Sequence, residues 1–335
     1  MDQRKRLILK EIVDRYIKYG RPVSSRTLLE EYGLPVSSAT IRNDMKYLEK
    51  HGYISKAYSS AGRVPTQKAY RFFVNWLLEL SELTKRDTHQ LIESYAFRRP
   101  EMPELLRQAA FLLAQLSGLL GFVLAPKLEE TKLESISLLR LGPKHIAVVM
   151  VSDLGTIESR VIHAEVAADQ LLEIDELLHR RFMGRRLDEI RREVEGFTAT
   201  EDWQEALMRD AFSLLSEFVA TSSRRRLYVE GVLNLIKTTL DQAGYEETRR
   251  IMALLEDEEG FEQYLESASK AEDLYCLIGK EMPIRELRDY SLVAMPYGYS
   301  GVLGVLGPTR MDYSKACSAT KYIGSRLKAI LQSQV

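Results

Sequence analysis

Glycine, proline and serine break the first 80 or so residues into short helices joined by tight turns, and this punctuation limits the fold more than any other feature of the chain. Apolar residues at helical spacing predict a first helix over roughly residues 3–19. A second helix is expected from Arg26 to Tyr32, with Ser25 as its N-cap, and a third helix begins at the cap Ser37. Two short helices around a glycine-containing turn form the helix-turn-helix pattern.

The segment after the third helix has the pattern of a wing, which is a strand, a loop and a return strand. Residues 53–58 alternate as a strand does, the following residues are small, and Arg63 places a cation at the tip of the loop. Ala61 or Gly62 suits turn geometry rather than contact. Thr66 is expected to cap a fourth helix that packs the domain.

The charge of the chain is divided unevenly between its two parts. Residues 1–86 hold 17 Lys and Arg against 9 Asp and Glu, a net charge of +8, whereas the remainder holds 30 against 39, a net charge of −9. The overall net charge of −1 conceals this division. A basic head on an acidic body indicates that the head meets a polyanion, although chance clustering on a solvated face gives the same totals.

The third helix carries side chains suited to reading DNA. On a helical wheel, Ile41, Met45 and Leu48 share one side and are expected to be buried. The opposite side and its flanks carry a small residue, a hydroxyl, an amide, a guanidinium and two ammonium groups: Ala39, Thr40, Asn43, Arg42, Lys46 and Lys50. In the major groove Arg pairs with guanine edges and Asn with adenine edges. The alternative is a solvated helix decorated with cations; the wing and the basic charge favour the DNA-reading interpretation.

The rest of the chain predicts an α+β body. A buried helix is expected from Leu105 to Leu120, followed by a strand. Strands joined by hairpin-length turns are then expected at 135–141, 145–152 and 156–163, which is an antiparallel meander. Helices should fill residues 168–222 and most of 234–269, strands should recur at 227–230, 274–280, 291–297 and 301–307, and Asp312 should cap a terminal helix.

Other classes of protein fit the sequence poorly. The longest apolar stretch, from Phe111 to Pro126, is interrupted by polar residues and shorter than the ~20 residues of a membrane span. The N-terminus lacks the pattern of a signal peptide, so we expect a cytoplasmic protein. The two cysteines, Cys276 and Cys317, lie in apolar surroundings and are expected to be inert core thiols.

Three stretches of the chain resemble HrcA, the family of bacterial heat-inducible transcription repressors. The first runs from Ser37 to Ile54, with the sequence SSATIRNDMKYLEKHGYI. The second is the string SSAGRVPT at 59–66 followed by AYRFFV at 69–74, and the third is LGPTRMDY at 306–313. The SAGRVPT string is far more specific than a generic helix-turn-helix.

The resemblance implies an α+β architecture with three domains, and the sequence pattern supplies their bounds. A winged helix-turn-helix over residues 1–83 would be followed by a linker helix at 84–102. Residues 103–130 and 223–335 would form a GAF-like α/β domain with an antiparallel sheet, interrupted by an inserted α+β dimerisation domain at 131–222. The resemblance also implies binding, as a homodimer, to the inverted-repeat DNA operator called CIRCE, with the chaperonin GroEL as modulator.

Carried over to this chain, the matched motifs assign DNA contacts to the helix-turn-helix and the wing. Major-groove contacts are expected from Ser38, Thr40, Arg42, Asn43 and Lys46. Wing contacts are expected from Ser59, Ser60 and Arg63, and phosphate contacts from Ser24, Ser25, Arg26 and Ser37. The motif identifies the elements, and the helical wheel selects the residues. No cofactor, metal, membrane or catalytic residue is expected.

Two other functions compete with a repressor. An enzyme is poorly supported, because the glycine-rich run at 298–304 lacks the Lys-Ser/Thr of a phosphate loop and the five histidines show no i, i+4 pair. A winged-helix regulator that senses a small ligand through its GAF-like domain is the alternative. Its pocket would be lined by four tyrosines, although tyrosine at sheet edges is ordinarily structural: Tyr290, Tyr297, Tyr299 and Tyr313.

Overall fold

The computed structural model describes residues 1–32, 37–57, 62–79, 102–163, 166–196, 226–242, 249, 253 and 258–332. Its N-terminal part contains four helices and a two-stranded antiparallel hairpin: α1 (Gln3–Tyr19), α2 (Ser25–Tyr32), α3 (Ser38–Lys50), β1 (Ile54–Lys56), β2 (Arg63–Pro65) and α4 (Gln67–Glu79). This order is that of a winged helix-turn-helix, and it confirms the predicted first domain type.

The helices of this part share one apolar core. On α1, Ile8, Leu9, Ile12 and Val13 have no exposed surface, because they repeat at the i, i+3, i+4 spacing of one helical face. Gly20 ends α1 with a left-handed backbone, as predicted. The predicted cap Thr66 makes different hydrogen bonds from those expected. Its Oγ1 donates to the carbonyls of Gly52 and Tyr53 instead of accepting a backbone N–H of α4, so the hydroxyl connects α4 to the segment after α3.

The C-terminal part is built on a five-stranded antiparallel sheet in the order β7–β3–β10–β9–β8. Its strands are β3 (Leu120–Leu124), β7 (Leu227–Glu230), β8 (Tyr275–Ile278), β9 (Tyr290–Gly298) and β10 (Gly301–Pro308). Helices α5 (Met102–Ser117) and α10 (Tyr313–Gln332) both pack on the sheet and on each other. All residues of β10 are buried, because both faces of this strand are covered. Its sequence is accordingly a continuous apolar run instead of an alternating pattern.

The chain leaves this sheet after Leu124 and returns to it at Leu227, on the neighbouring strand. The Ala125 N–H donates to the Arg226 carbonyl at 2.9 Å, so the two ends of the excursion lie side by side. Between them stand a second antiparallel sheet and two helices: β4 (Leu133–Gly142), β5 (His145–Ser152), β6 (Ile157–His163), α6 (Ala168–Phe182) and α7 (Leu187–Glu195). The meander and both helices were predicted; the bounds 131–222 and the GAF-like character of the five-stranded sheet stay predictions.

Two further helices, α8 (Val232–Gln242) and α9 (Glu258–Ser269), and three 3-10 turns at Leu128–Glu130, Gly279–Glu281 and Arg285–Leu287 complete the described elements. Asp312 caps α10, as predicted, through its Oδ1 and the Lys315 N–H. The linker predicted at 84–102 lies outside the described residues except for Met102, which begins α5 three positions before the expected start. The helix predicted up to residue 222 is outside them from residue 197 onward. Within the described ranges, no helix combines the length and the apolarity that a bilayer span requires.

Candidate nucleic-acid interface

Helix α3 buries one side and presents the other to solvent. Ile41 and Leu48 have no exposed surface and Met45 is 7% exposed, so the apolar side packs on α1 and α2 as predicted. The residues left in contact with solvent include the expected base readers. Ala39, Arg42, Asn43, Lys46 and Lys50 are exposed, whereas Ser38 and Thr40 are half-buried.

Helices α2 and α3 begin with the same cap. The Ser24 Oγ accepts from the Thr27 N–H at 3.1 Å, and the Ser37 Oγ accepts from the Thr40 N–H at 3.2 Å. The predicted cap Ser25 is therefore wrong by one position, because α2 already begins there. The other N–H groups of a first turn have no partner inside their helix, and the helix dipole favours an anion beside them.

The N-terminus of α2 lies beside the exposed side of α3. The Arg42 Nε donates to the Ser25 Oγ at 3.3 Å, which brings a predicted base reader and a predicted phosphate contact together. Arg26 follows its own helix, and its Nε donates to the Glu30 Oε1 at 2.6 Å. This hydrogen bond raises the pKa of Arg26. Because both side chains of the pair are largely exposed, the pair contributes little to stability.

The wing differs from the predicted arrangement at Arg63. This residue begins β2 instead of standing at the tip of the loop, and its backbone pairs with Val23 through two hydrogen bonds of 2.8 Å. Its guanidinium donates to the Glu49 Oε2 from Nε at 3.1 Å and from Nη2 at 2.9 Å. Arg63 therefore ties the base of the wing to the end of α3. Ser59 and Ser60 lie outside the described residues.

Glycine is required at position 62 because the backbone of Val23 lies very close to it. A Cβ at this position would lie 2.5 Å from the carbonyl oxygen of Val23, so a side chain would push the wing away from the segment before α2. Its φ is not among the left-handed values, which corrects the expectation that glycine serves turn geometry here.

A buried carboxylate on α3 was missed by the sequence interpretation. Asp44 is 4% exposed and accepts from the Arg4 Nε at 2.7 Å and the Arg4 Nη2 at 3.3 Å, with the Lys5 Nζ 3.5 Å away. The hydrogen bond to Asp44 raises the pKa of Arg4. The pair fastens the start of α1 to α3. The helical wheel of α3 could have indicated this buried carboxylate, because position 44 falls at the edge of the side formed by Ile41, Met45 and Leu48.

The four tyrosines that the ligand-sensing alternative would place in a pocket make structural contacts. The hydroxyls of Tyr297 and Tyr313, both buried, donate to backbone carbonyls at 2.9 Å and 2.8 Å. Tyr290 is 1% exposed, and Tyr299 donates to the Asp153 Oδ2 at 3.3 Å. A cavity of about 310 Å³ lies elsewhere, between the start of α5, residues 125–131 and β6. The contacts of these four tyrosines agree with the structural role that the sequence favours for them.

The described residues offer little reactive chemistry. No group of three or more His, Cys, Asp or Glu side chains among them is arranged to hold a metal ion. Cys276 and Cys317 are both buried, as predicted. Burial raises the pKa of both thiols, that of Cys317 to about 12, so neither is a thiolate at neutral pH.

Comparison with protein families covers both parts of the chain. A model of the DeoR-like helix-turn-helix domain matches residues 10–67, and the model of the HrcA protein C-terminal domain matches residues 103–317. The chain belongs to the HrcA family. Its helix-turn-helix is thus a DNA-binding domain joined to the C-terminal domain of that family.

Relatives named heat-inducible transcription repressor HrcA align with nearly the whole chain. The relative from Halalkalibacterium halodurans is 30% identical, over 99% of this chain and 98% of its own length. The one from Geobacter sulfurreducens is 30% identical over 100% and 99%, and the one from Pelotomaculum thermopropionicum 29% over 99% and 97%. A crystal structure described as that of a hypothetical protein is 25% identical, covers 100% of both chains and has a TM-score of 0.67. The HrcA-family fold described above is thus similar to an experimental one.

The ion pair at the base of the wing gives a prediction for DNA binding by this HrcA-family chain. If Arg63 contacts DNA as the motif implies, replacing Glu49 with Gln removes the negative charge beside its guanidinium and releases it, so affinity for any duplex should increase. The slope of log affinity against log salt should steepen by about one unit. Fluorescence anisotropy with a labelled duplex over a salt series measures both. Glu104→Gln, an exposed position at the start of α5, is the matched control; an equal gain in that variant would contradict the assignment.

Proposed function

We propose that this chain is a transcription repressor that binds an inverted-repeat operator as a homodimer, in the cytoplasm and without catalysis. The observation that carries the proposal is α3, which buries Ile41 and Leu48 completely while exposing Arg42, Asn43 and Lys46 together. A helix of this kind enters the major groove, where a guanidinium and an amide distinguish base pairs. The names of the family relatives agree with this function.

The proposed contacts separate into base reading and backbone binding. Arg42 and Asn43 read base edges, with Ser38 and Thr40 at the entry of the helix into the groove and Lys46 further along it. Phosphates lie at the N-termini of α2 and α3, where Ser24, Ser25, Arg26 and Ser37 stand. The wing residues Ser59, Ser60 and Arg63 contact the backbone or minor groove. Because Ser24 and Ser37 already cap their helices, backbone N–H groups beside them are the better phosphate donors.

Base reading and backbone binding differ in their sensitivity to sequence. Arg42→Ala and Asn43→Ala should each cost about 1–3 kcal/mol on the operator duplex and little on a scrambled one. Arg26→Ala should weaken binding to both duplexes alike and make the salt slope shallower by about one unit. Titrations of both duplexes at several salt concentrations separate the two classes. If the α3 variants lost equal affinity for both duplexes, the proposed reading face would be wrong.

We infer the dimer contact from the outer face of the three-stranded sheet. Alternate residues on its strands form three cross-strand rows on that face: Ser135, Val151 and Ile157; Ser137, Val149 and Ser159; Leu139, Ala147 and Val161. None of these nine residues is charged. The inner face packs on α6 through a separate core, so the outer face is the one available to a partner.

A second copy of the chain is the partner that fits this face. Three of its five large apolar side chains are strongly exposed, Leu139 by 53%, Ile157 by 64% and Val161 by 58%, and the other two, Val149 and Val151, are half-buried. Two identical uncharged faces can meet about a two-fold axis without placing like charges together. A two-fold dimer also presents its two α3 helices to an inverted repeat, which has the same symmetry.

A charge placed in this face should separate the dimer. In Val161→Lys, each copy would have to bury an unpaired ammonium group opposite its partner, so dimer affinity should fall about a hundredfold or more. Sedimentation at micromolar concentration measures the change. Leu172→Lys is the control, because Leu172 is 70% exposed but lies on α6, on the other side of the domain. A dimeric V161K protein would exclude the outer sheet face as the contact.

Regulation by heat follows from occupancy. We propose that the operator is the CIRCE element and that GroEL keeps the repressor competent, so misfolded proteins that occupy GroEL release the chaperone genes from repression. Adding GroEL to the purified repressor should increase the fraction that binds the operator duplex. If the purified protein bound fully without GroEL, and adding GroEL changed nothing, this regulation would be refuted.

A further inference from the structure

Helix α4 is joined to the five-stranded sheet by a pair of hydrogen bonds from Gln67. Its Nε2 donates to the Ile278 carbonyl at 3.0 Å, and its Oε1 accepts from the Lys280 N–H at 3.2 Å. Both partners are backbone groups, in the last position of β8 and in the turn that follows it. A bidentate bond of one side chain to backbone fixes the angle as well as the distance between the two elements.

Arg71, one turn further along α4, makes a second attachment to the same segment. Its Nε donates to the Glu281 Oε1 at 2.9 Å, and its Nη2 donates to the Cys276 carbonyl at 2.8 Å and to the Glu281 Oε2. Glu281 is itself held, because its Oε2 accepts from the Ile278 N–H at 2.9 Å. Burial is the largest single influence on the pKa of Arg71 and lowers it, but the hydrogen bond to Glu281 and the electrostatic interactions with Cys276, Glu281 and Tyr313 together outweigh burial, so the pKa is raised. We call Gln67, Arg71 and residues 276–281 the α4 clamp.

Two apolar and steric contacts flank the α4 clamp. The rings of Tyr70 and Tyr313 lie 5.8 Å apart, centre to centre, and both side chains are buried. At the end of α1, the Arg310 guanidinium rests against Gly20, where a Cβ would stand 1.7 Å from its Nη1. The winged helix therefore touches the C-terminal part at two separate places, on α4 and on α1.

These contacts form a continuous series of side-chain and core contacts from α3 to the five-stranded sheet. Asp44 and Arg4 fasten α3 to α1, the shared core joins α1 to α4, and the α4 clamp joins α4 to β8. We propose that Gln67 and Arg71 are positioning residues that fix the separation and rotation of the two α3 helices of the dimer, and thereby its selectivity for one spacing between operator half-sites. This inference rests on the proposed function.

The geometry of DNA makes spacing a sensitive measure of rigidity. Each base pair added between two half-sites moves them apart by about 3.4 Å and rotates one against the other by roughly a tenth of a turn. Two base pairs thus rotate a half-site by about 70°. A dimer whose winged helices are held in fixed positions loses one of its two half-site contacts at such a spacing. A dimer whose winged helices can rotate keeps both contacts.

The test compares operator duplexes that share both half-sites and differ only in the spacer. The probes carry the CIRCE inverted repeat with its own spacer and with one, two and four base pairs added or removed, together with a single half-site and a scrambled duplex. The intact chain is compared with Gln67→Ala/Arg71→Gln. Lys280→Ala is the matched control, because Lys280 takes part in the clamp only through its backbone N–H.

For the wild type and the Lys280 control, a change of two base pairs should lower affinity about tenfold or more, which corresponds to the loss of one good base contact. In the double variant the same change should lower affinity less than about threefold, while affinity for the single half-site stays within about twofold of the wild type. Circular dichroism and sedimentation establish that the variant is folded and dimeric.

Three other results would overturn the inference. An unchanged spacing profile in the folded double variant shows that the clamp does not position α3, and leaves the proposed function standing. Tighter binding at every spacing identifies the clamp as inhibitory instead. A wild type that binds inverted-repeat and scrambled duplexes equally refutes the proposed function and the inference together.

Discussion

Helix α4 packs on both halves of the molecule, and the arrangement of the two halves depends on that double contact. One side of the helix joins the winged-helix core through Phe73, Val74 and Leu77, and it also contacts α1. The first turns of the same helix bind the end of β8 through Gln67 and Arg71. A helix is stiff over this length, so a rotation on one side is transmitted to the other. The orientation of α3 is thus a property of the whole chain.

Local structure followed closely from the sequence. The strands at 145–152 and 227–230 have the predicted bounds, and α3 buries the predicted residues. Both results depend on hydrophobic periodicity and on turn-forming residues, which are signals contained within a short segment. The pairs that hold the site were not predicted. Arg4 and Asp44 are 40 positions apart, and Gln67 and Ile278 are 211 apart. Such partners are set by tertiary packing, which a pattern read along one segment does not contain.

The positions where the wing differed from expectation show the same limit. The sequence presented Arg63 as a free cation at a loop tip, and packing turned it toward Glu49. It presented Gly62 as a turn residue, whereas the neighbouring Val23 backbone requires its lack of a side chain. The helix cap moved from Ser25 to Ser24 for a simpler reason, since two serines in succession give the same signal. For Arg63 and Gly62 the sequence identified the right kind of residue, but the partner that decides its role, Glu49 or Val23, could not be predicted from the local pattern.

If the proposed dimer forms through the uncharged outer face of β4, β5 and β6, assembly and DNA binding respond in opposite directions to the salt concentration of the cell. Contacts between apolar side chains carry no charge to screen, and strongly hydrated anions such as phosphate reinforce them. Contacts with DNA phosphates weaken as counterions accumulate. A bacterium that loses water and concentrates its salts would therefore keep such dimers intact while their hold on the operator relaxes.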